Sequence, residues 1–182
     1  MKSVALYGGS FDPPHIGHEA VILELKKLDF IDTIVVMPTF LNPFKENFSA
    51  PAELRLQWLR ELFNEDQKVE ISDFEVTQNR KVPTIESVTM LRKRYEKVYL
   101  VIGADNLKKL KEWHQFEKLQ EMVTFILVTR DGISVPKNFF TIELDIAISS
   151  SQLRDHIELS KLPKKIAKKI AHYYKEHNAK KN

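Results

Sequence analysis

Cysteine is absent from the 182 residues, which excludes a disulfide framework, a thiolate metal site and a cysteine nucleophile. Long apolar runs are missing as well: none approaches the roughly 20 residues that a membrane-spanning helix needs. The first residues, MKSVALYGGS, lack the apolar core and small-residue cleavage site of a secretory signal. These absences predict a soluble, cytoplasmic protein with no membrane partner. Neither G-x-G-x-x-G nor the P-loop pattern G-x-x-x-x-G-K-[ST] occurs. Glycine is scarce, with only five in the chain, so its placement carries information.

What is present suits one compact body. A chain of this length that is 43% hydrophobic and 29% charged is long enough to bury a core and too apolar for disorder, and a single domain over residues 1–182 is expected. The net charge of +3 conceals a lysine-rich end, SKLPKKIAKKIAHYYKEHNAKKN, covering residues 160–182. There Ile166, Ile170 and either Tyr173 or Tyr174 recur at helical spacing between lysines, with Pro163 near the start, which describes a basic amphipathic helix and tail. A docking helix with a solvated lysine face accounts for it. A nucleic-acid role would require that face to meet phosphate, and no aromatic-rich RNA motif accompanies it, so no nucleic-acid partner is expected. The oligomeric state, a homo-oligomer included, stays open.

Apolar β-rich runs alternate with helical patterns from end to end. SVALYGG reads as a buried strand, and HEAVILELKKL as a helix with Ala20, Leu23 and Leu28 at helical spacing. DTIVVMP is a second strand; ELRLQWLRELF is a helix with Leu54, Trp58, Leu59 and Leu62 on one stripe; KVEISDFEV alternates as a strand. A helix follows from Thr84, then the strand KVYLVIG, then the helical stretch NLKKLKEWHQFEKLQEM with a break near Trp113. VTFILVTR and FFTIEL are further strands, and SSSQLRDHIEL is a helix with a serine start. Regular strand–helix alternation predicts an α/β, doubly wound parallel sheet with helices on both faces. In such sheets ligands bind beyond the carboxyl ends of the strands, where strand order reverses. Four of the five glycines stand at two such strand ends, in GGSFDPPHIGH and in GADN.

The stretch GGSFDPPHIGH, residues 8–18, can hold an anion. Gly8 and Gly9 allow close backbone approach at a strand end. Asp12 and Pro13 each precede a proline and are biased away from helix, so a helix should begin at about Pro14. His15 and His18 then share its first turn, with Gly17 between them where alanine would gain about 1 kcal/mol of helicity. A helix start presents free N–H groups and the positive end of the macrodipole. Two imidazoles add donors suited to a phosphate whose charge grows as a bond breaks. Ordinary surface histidines on a glycine-shaped turn are the plainer alternative. Zinc is disfavoured, because His114, His156, His172 and His177 lie far off and no short-range third ligand stands by; no protein metal site is expected.

With these residues in view, the chain resembles the HxGH nucleotidylyltransferase superfamily, whose opening is G-[ST]-F-D-P-x-[HT]-x-G-H; ISSSQLR, residues 148–154, is similar to its second motif, I-S-S-T-x-[IL]-R. The same HIGH tetrad marks class I aminoacyl-tRNA synthetases, but their KMSKS-type loop and tRNA-reading domains are missing here. Over nearly the whole chain the resemblance is to bacterial nicotinate-nucleotide adenylyltransferases, through MPTFLNPFK, ELRLQWL, PTIESVTMLR and IGADNLKKLKEWHQFEKL. It implies a Rossmann-like nucleotidylyltransferase fold and transfer of AMP from ATP to nicotinate mononucleotide, with Mg²⁺ accompanying ATP. His15, His18 and Arg154 would be catalytic. Gly8, Gly9, Ser10, Phe11, Gly17, Gly103, Asp105, Ser149, Ser150 and Ser151 would bind ATP. Trp113 would stack on the nicotinate ring, Thr84 would line that pocket, and Lys45 with Arg55 would belong to a mobile or phosphate-facing region. The family often has Ser-Tyr-Thr where this chain has Val82, Pro83 and Thr84, and threonine where Ser87 and Ser151 stand. Those departures leave the choice between nicotinate and nicotinamide mononucleotide open. Pantetheine-phosphate adenylyltransferase, similar at both terminal motifs, and a non-catalytic nucleotide-binding module are the rival readings.

Overall fold

The structure, a computed structural model, describes residues 2–42, 44, 46–130, 136, 137, 139–146 and 148–179. Six parallel strands form one sheet: β1 (Ser3–Gly9), β2 (Thr33–Pro38), β3 (Val69–Ile71), β4 (Lys97–Gly103), β5 (Thr124–Arg130) and β6 (Phe140–Leu144). Their order is β3-β2-β1-β4-β5-β6. Strand order therefore reverses between β1 and β4, the position where a doubly wound sheet binds ligands.

The register shows how the crevice opens. β1 pairs with β4 only as far as Tyr7 opposite Val101, whereas Gly8 and Gly9 continue against Met37 and Pro38 of β2. On the other side Ile102 and Gly103 continue against Leu127 and Val128 of β5. The two central strands thus part company at their carboxyl ends, each held by its outer neighbour, and the gap between them is the mouth of the site.

Alternation along the strands supplies both sheet faces. Ala5 and Tyr7 point into a cluster with Val21, Leu25 and Leu59, contributed by α1 (Ile16–Lys26) and α2 (Ala52–Phe63). Val4 and Leu6 point into the opposite cluster with Val88, Leu91 and Leu119, from α4 (Thr84–Leu91) and α5 (Phe116–Met122). Each of the valines and leucines among them contributes about 1.5–3 kcal/mol by leaving water. A third cluster joins Trp58 of α2, Leu153 of α6 (Ser150–Asp155) and Ile166, Ile170 and Tyr174, the last two within α7 (Ala167–Ala179). The C-terminal amphipathic stretch is thereby docked through its apolar face. Lys165 and Lys169 meet Glu65 and Glu61 of the α2 region at 3.7 and 2.6 Å.

Local details differ from the sequence pattern. α1 begins at Ile16 rather than Pro14, with His15 as its N-cap. Its buried face is Gly17, Val21, Ile22 and Leu25, while Leu23 is 57% exposed, because the four-residue spacing from Gly17, not the Ala20–Leu23 pair, lies on the sheet. β3 stops at Ile71, and Phe74–Thr77 forms the short helix α3, which turns Glu75 and Val76 inward. Residues 104–112 adopt a 3-10 helix that ends at Trp113, and α5 restarts after a left-handed Gln115. Thr84 is the first residue of α4, and Pro83 holds the N-cap.

Candidate active site

The loop between β1 and α1 is fixed from three sides. Phe11 takes a positive φ of 48° and buries its ring in the core, edge-on to Tyr7 and His18; its side chain is structural, leaving only backbone for a ligand. The Asp12–Pro13 peptide is cis. The Asp12 carboxylate, 4% exposed, accepts from the Ser49 and Ala50 amides at 2.8 and 2.9 Å and from the Tyr174 hydroxyl. Burial and the neighbouring Asp12 charge hold the Tyr174 phenol well above its usual range, so it stays a donor.

Arg55, which the resemblance put in a mobile or phosphate-facing region, is 1% exposed. Its guanidinium donates to the carbonyls of Ser10 at 2.5 Å and of Thr39, Phe40 and Ala50, each at 2.9 Å. Burial lowers its pKa and the Asp12 charge opposes that shift. A planar fork with several donors is what four carbonyls from separate loops require; this arginine pins the loops after β1 and β2 to α2.

The histidine pair sits at the helix mouth as one unit. The His15 amide donates to His18 Nδ1 at 3.1 Å, so in the neutral ring the His18 proton resides on Nε2. The two rings stack with centroids 3.7 Å apart. His15 is 1% exposed. Gly17 makes the stack possible, since a Cβ there would lie 2.9 Å from His15 Nδ1.

α6 is brought to this loop from 137 to 142 residues away in sequence. Ser149 caps it, its hydroxyl accepting from the Gln152 amide at 3.2 Å. The Ser150 hydroxyl donates to the Pro13 carbonyl at 3.0 Å, and Arg154 Nη1 donates to the Asp12 carbonyl at 2.7 Å. Asn178 of α7 closes the circuit by donating to the Arg154 carbonyl at 3.0 Å. Ser151 is exposed on the outer side of α6. The glycine-histidine segment and the serine-arginine segment therefore form one neighbourhood.

Beside it, a cavity of about 420 Å³ opens at the parted ends of β1 and β4, bordered by Gly8, Gly9, Gly103, Thr84 and Trp113. The Trp113 Nε1 and Thr39 Oγ1 atoms of residues bordering it are buried without a hydrogen-bond partner among the described residues. Asp105 is exposed next to Gly103; a Cβ on Gly103 would collide with its Oδ1. Lys45 lies outside the described residues.

Sequence reasoning missed several members of this region, among them Tyr174, Asn178 and Glu75. Glu75 of α3 also borders the cavity, is 7% exposed, and accepts from the Ser87 hydroxyl at 2.7 Å. Burial pushes its carboxyl up to about 7, partly opposed by the Ser87 bond. Among the described residues no three His, Asp or Glu side chains converge as a metal cage, and no helix is long and apolar enough to cross a membrane.

The model of the cytidylyltransferase-like family matches residues 6–156. A protein of Sulfurimonas denitrificans, named "Probable nicotinate-nucleotide adenylyltransferase", is 59% identical over 180 residues, covering 99% of both chains. One of the same name from Campylobacter jejuni strain RM1221 is 48% identical over 176 residues, 95% of this chain and 97% of its own. Among solved structures, Plasmodium falciparum nicotinic acid mononucleotide adenylyltransferase complexed with NaAD superimposes with a TM-score of 0.76 at 22% identity, covering 98% of this chain and 97% of that one. That likeness is one of fold.

Proposed function

Because the chain belongs to the cytidylyltransferase-like family and, along its whole length, to the nicotinate-nucleotide adenylyltransferases, we propose that the β1–α1 loop with α6 handles the triphosphate and that the adjoining cavity receives the acceptor. The protein is a nucleotidyltransferase of NAD biosynthesis: it transfers AMP from ATP to nicotinate mononucleotide and releases pyrophosphate. The acceptor's phosphate oxygen attacks the α-phosphorus of ATP in line; the new O–P bond forms as the bond to the bridging oxygen of pyrophosphate breaks. An anionic phosphate is already a nucleophile, so the protein supplies alignment and stabilisation of the charge passing to pyrophosphate.

His18 Nε2–H and His15 donate to the phosphates at the helix mouth. Arg154, with one nitrogen spent on the Asp12 carbonyl, offers its remaining donors to the leaving group together with the Ser149 hydroxyl and the Ser150 backbone amide, the Ser150 hydroxyl being spent on the Pro13 carbonyl. Gly8 and Gly9 let the nucleotide lie against bare backbone, Gly103 and Asp105 border adenosine, and Trp113 with Thr84 holds the pyridine. ATP brings a divalent cation, Mg²⁺, on its own oxygens; the side chains described offer it no cage. ATP as co-substrate also fits a cytoplasmic location.

The observation that supports this reading is the pair of hydrogen bonds from Ser150 and Arg154 to the carbonyls of Pro13 and Asp12, by which the glycine-histidine segment and the serine-arginine segment share one mouth. Its test is pyrophosphate release from ATP and Mg²⁺ with nicotinate mononucleotide, nicotinamide mononucleotide and 4′-phosphopantetheine offered separately. Release with a pyridine mononucleotide supports the assignment. Release with phosphopantetheine alone, or ATP binding without release, overturns it. His18→Ala is expected to lower kcat by roughly 10²–10³-fold with the fold intact; near-normal turnover removes His18 from the mechanism.

A further inference from the structure

The cavity wall holds an acid that adenylyl transfer does not use. Glu75 is fixed by the Ser87 hydroxyl, and Ser87, itself buried, lies three residues beyond Thr84 on α4. The bond therefore sets the carboxyl against the wall shared with Thr84 and Trp113. The next residue, Val76, packs on Ala52 and Leu56 of α2, and Glu75 itself is 7% exposed. Glu86 of α4 is held by Arg80, Asp73 is held by Arg60 of α2, and Lys81, Glu112 and His114 border the same cavity.

We propose that Glu75 is a specificity-determining residue for the pyridine end of the acceptor, its protonation state deciding whether the cavity admits an anionic ring carboxylate as readily as a neutral carboxamide. The proposal rests on the adenylyl-transfer reading. Two carboxylates in one cavity cannot both ionise without mutual repulsion. A protonated Glu75 lifts that repulsion and adds a donor. Above its pKa, binding nicotinate mononucleotide must therefore take up a proton, whereas binding nicotinamide mononucleotide need not. Burial has already moved Glu75 to about 7, where modest pH changes alter the balance.

The experiment is the ratio of kcat/KM on nicotinate mononucleotide to kcat/KM on nicotinamide mononucleotide, from about pH 6 to about pH 9. Both acceptors share ribose and phosphate and use the same ATP, so titration of the phosphate, His15 and His18 cancels in the ratio. The wild-type ratio is expected to fall by roughly tenfold or more over that range. Glu75→Gln should flatten it. Ser87→Ala removes a bond that favours the ionised carboxylate and should move the fall to higher pH, which decides the matter should the Gln variant not fold. A flat wild-type ratio overturns the proposal, and so does a fall that persists in Glu75→Gln, which would assign it to another group. Absence of turnover with either mononucleotide at every pH overturns the adenylyl-transfer reading together with this one; brisk turnover with a flat ratio overturns this one alone.

Discussion

Gly17 and Glu75 each break a local rule. A methyl group on Gly17 would meet the His15 ring at 2.9–3.0 Å, so the usual helical gain of about 1 kcal/mol for alanine comes with displacement of the imidazole. Gly17→Ala is expected to fold, as circular dichroism would show, while kcat drops by up to roughly 10²-fold, the scale of a small misplacement beside reacting atoms. Unchanged kcat would mean the stack is dispensable. Glu75 titrates at about 7 in the fold against 4.5 as the ordinary value. A raised carboxyl contributes stability that is complete below about pH 4.5 and is lost as pH rises through about 7. Glu75→Gln should therefore be more stable than wild type above pH 7, by on the order of 3 kcal/mol, with the gain vanishing at acid pH; urea melts near pH 4.5 and pH 8 would show it. Gly17 was legible, because glycine in an amphipathic helix between two histidines asks for space. Glu75 was not, since in KVEISDFEV it reads as the polar side of a strand, and only the turn into α3 faces it inward.

Elements, too, divide into those that patterning reveals and those that only contacts reveal. The β1–α1 unit, the serine cap of α6 and the break at Trp113 follow from local chemistry, namely where glycine, proline and serine interrupt a period. Arg55 shows the limit. In ELRLQWL a charged residue three before Trp58 resembles the exposed side of a helix, yet α2 buries it because Ser10, Thr39, Phe40 and Ala50 turn their carbonyls to one point. Nothing in the sequence near Arg55 records those four partners. Arg55→Met keeps most of the side-chain volume but strands the carbonyls, at about 1–3 kcal/mol each. The variant should be unfolded or destabilised by several kcal/mol, read by its denaturation midpoint. A midpoint near wild type would mean that water satisfies those carbonyls and that the clamp is incidental.

Across the whole molecule, the two ends of the chain meet at Asp12. Tyr174 reaches it from 162 residues away, Tyr173 donates to Ser49 at 3.0 Å across 124, and both tyrosines pack on Trp58. The helical spacing of Ile166, Ile170 and Tyr174 announced a docked face, but not which tyrosine would enter the core or that its hydroxyl would end on the loop carrying the histidines. If α7 belongs to the same cooperative unit as the sheet, its loss cannot precede global unfolding. The two tryptophans report on separate places, Trp58 on the α7 interface and Trp113 on the cavity wall. Retaining one at a time, with the other replaced by phenylalanine, should give coincident denaturation midpoints once each substitution's own cost is subtracted by circular dichroism. Tyr174→Phe removes the hydroxyl from a buried carboxylate and should shift both transitions together by about 1–3 kcal/mol. It should also lower kcat more than it raises KM, because Asp12 anchors the loop and not the acceptor. Were Trp58 to report an earlier transition while Trp113 and turnover persist, α7 would be a separable appendage, and the route from Tyr174 through Asp12 to the histidine pair would have no part in catalysis.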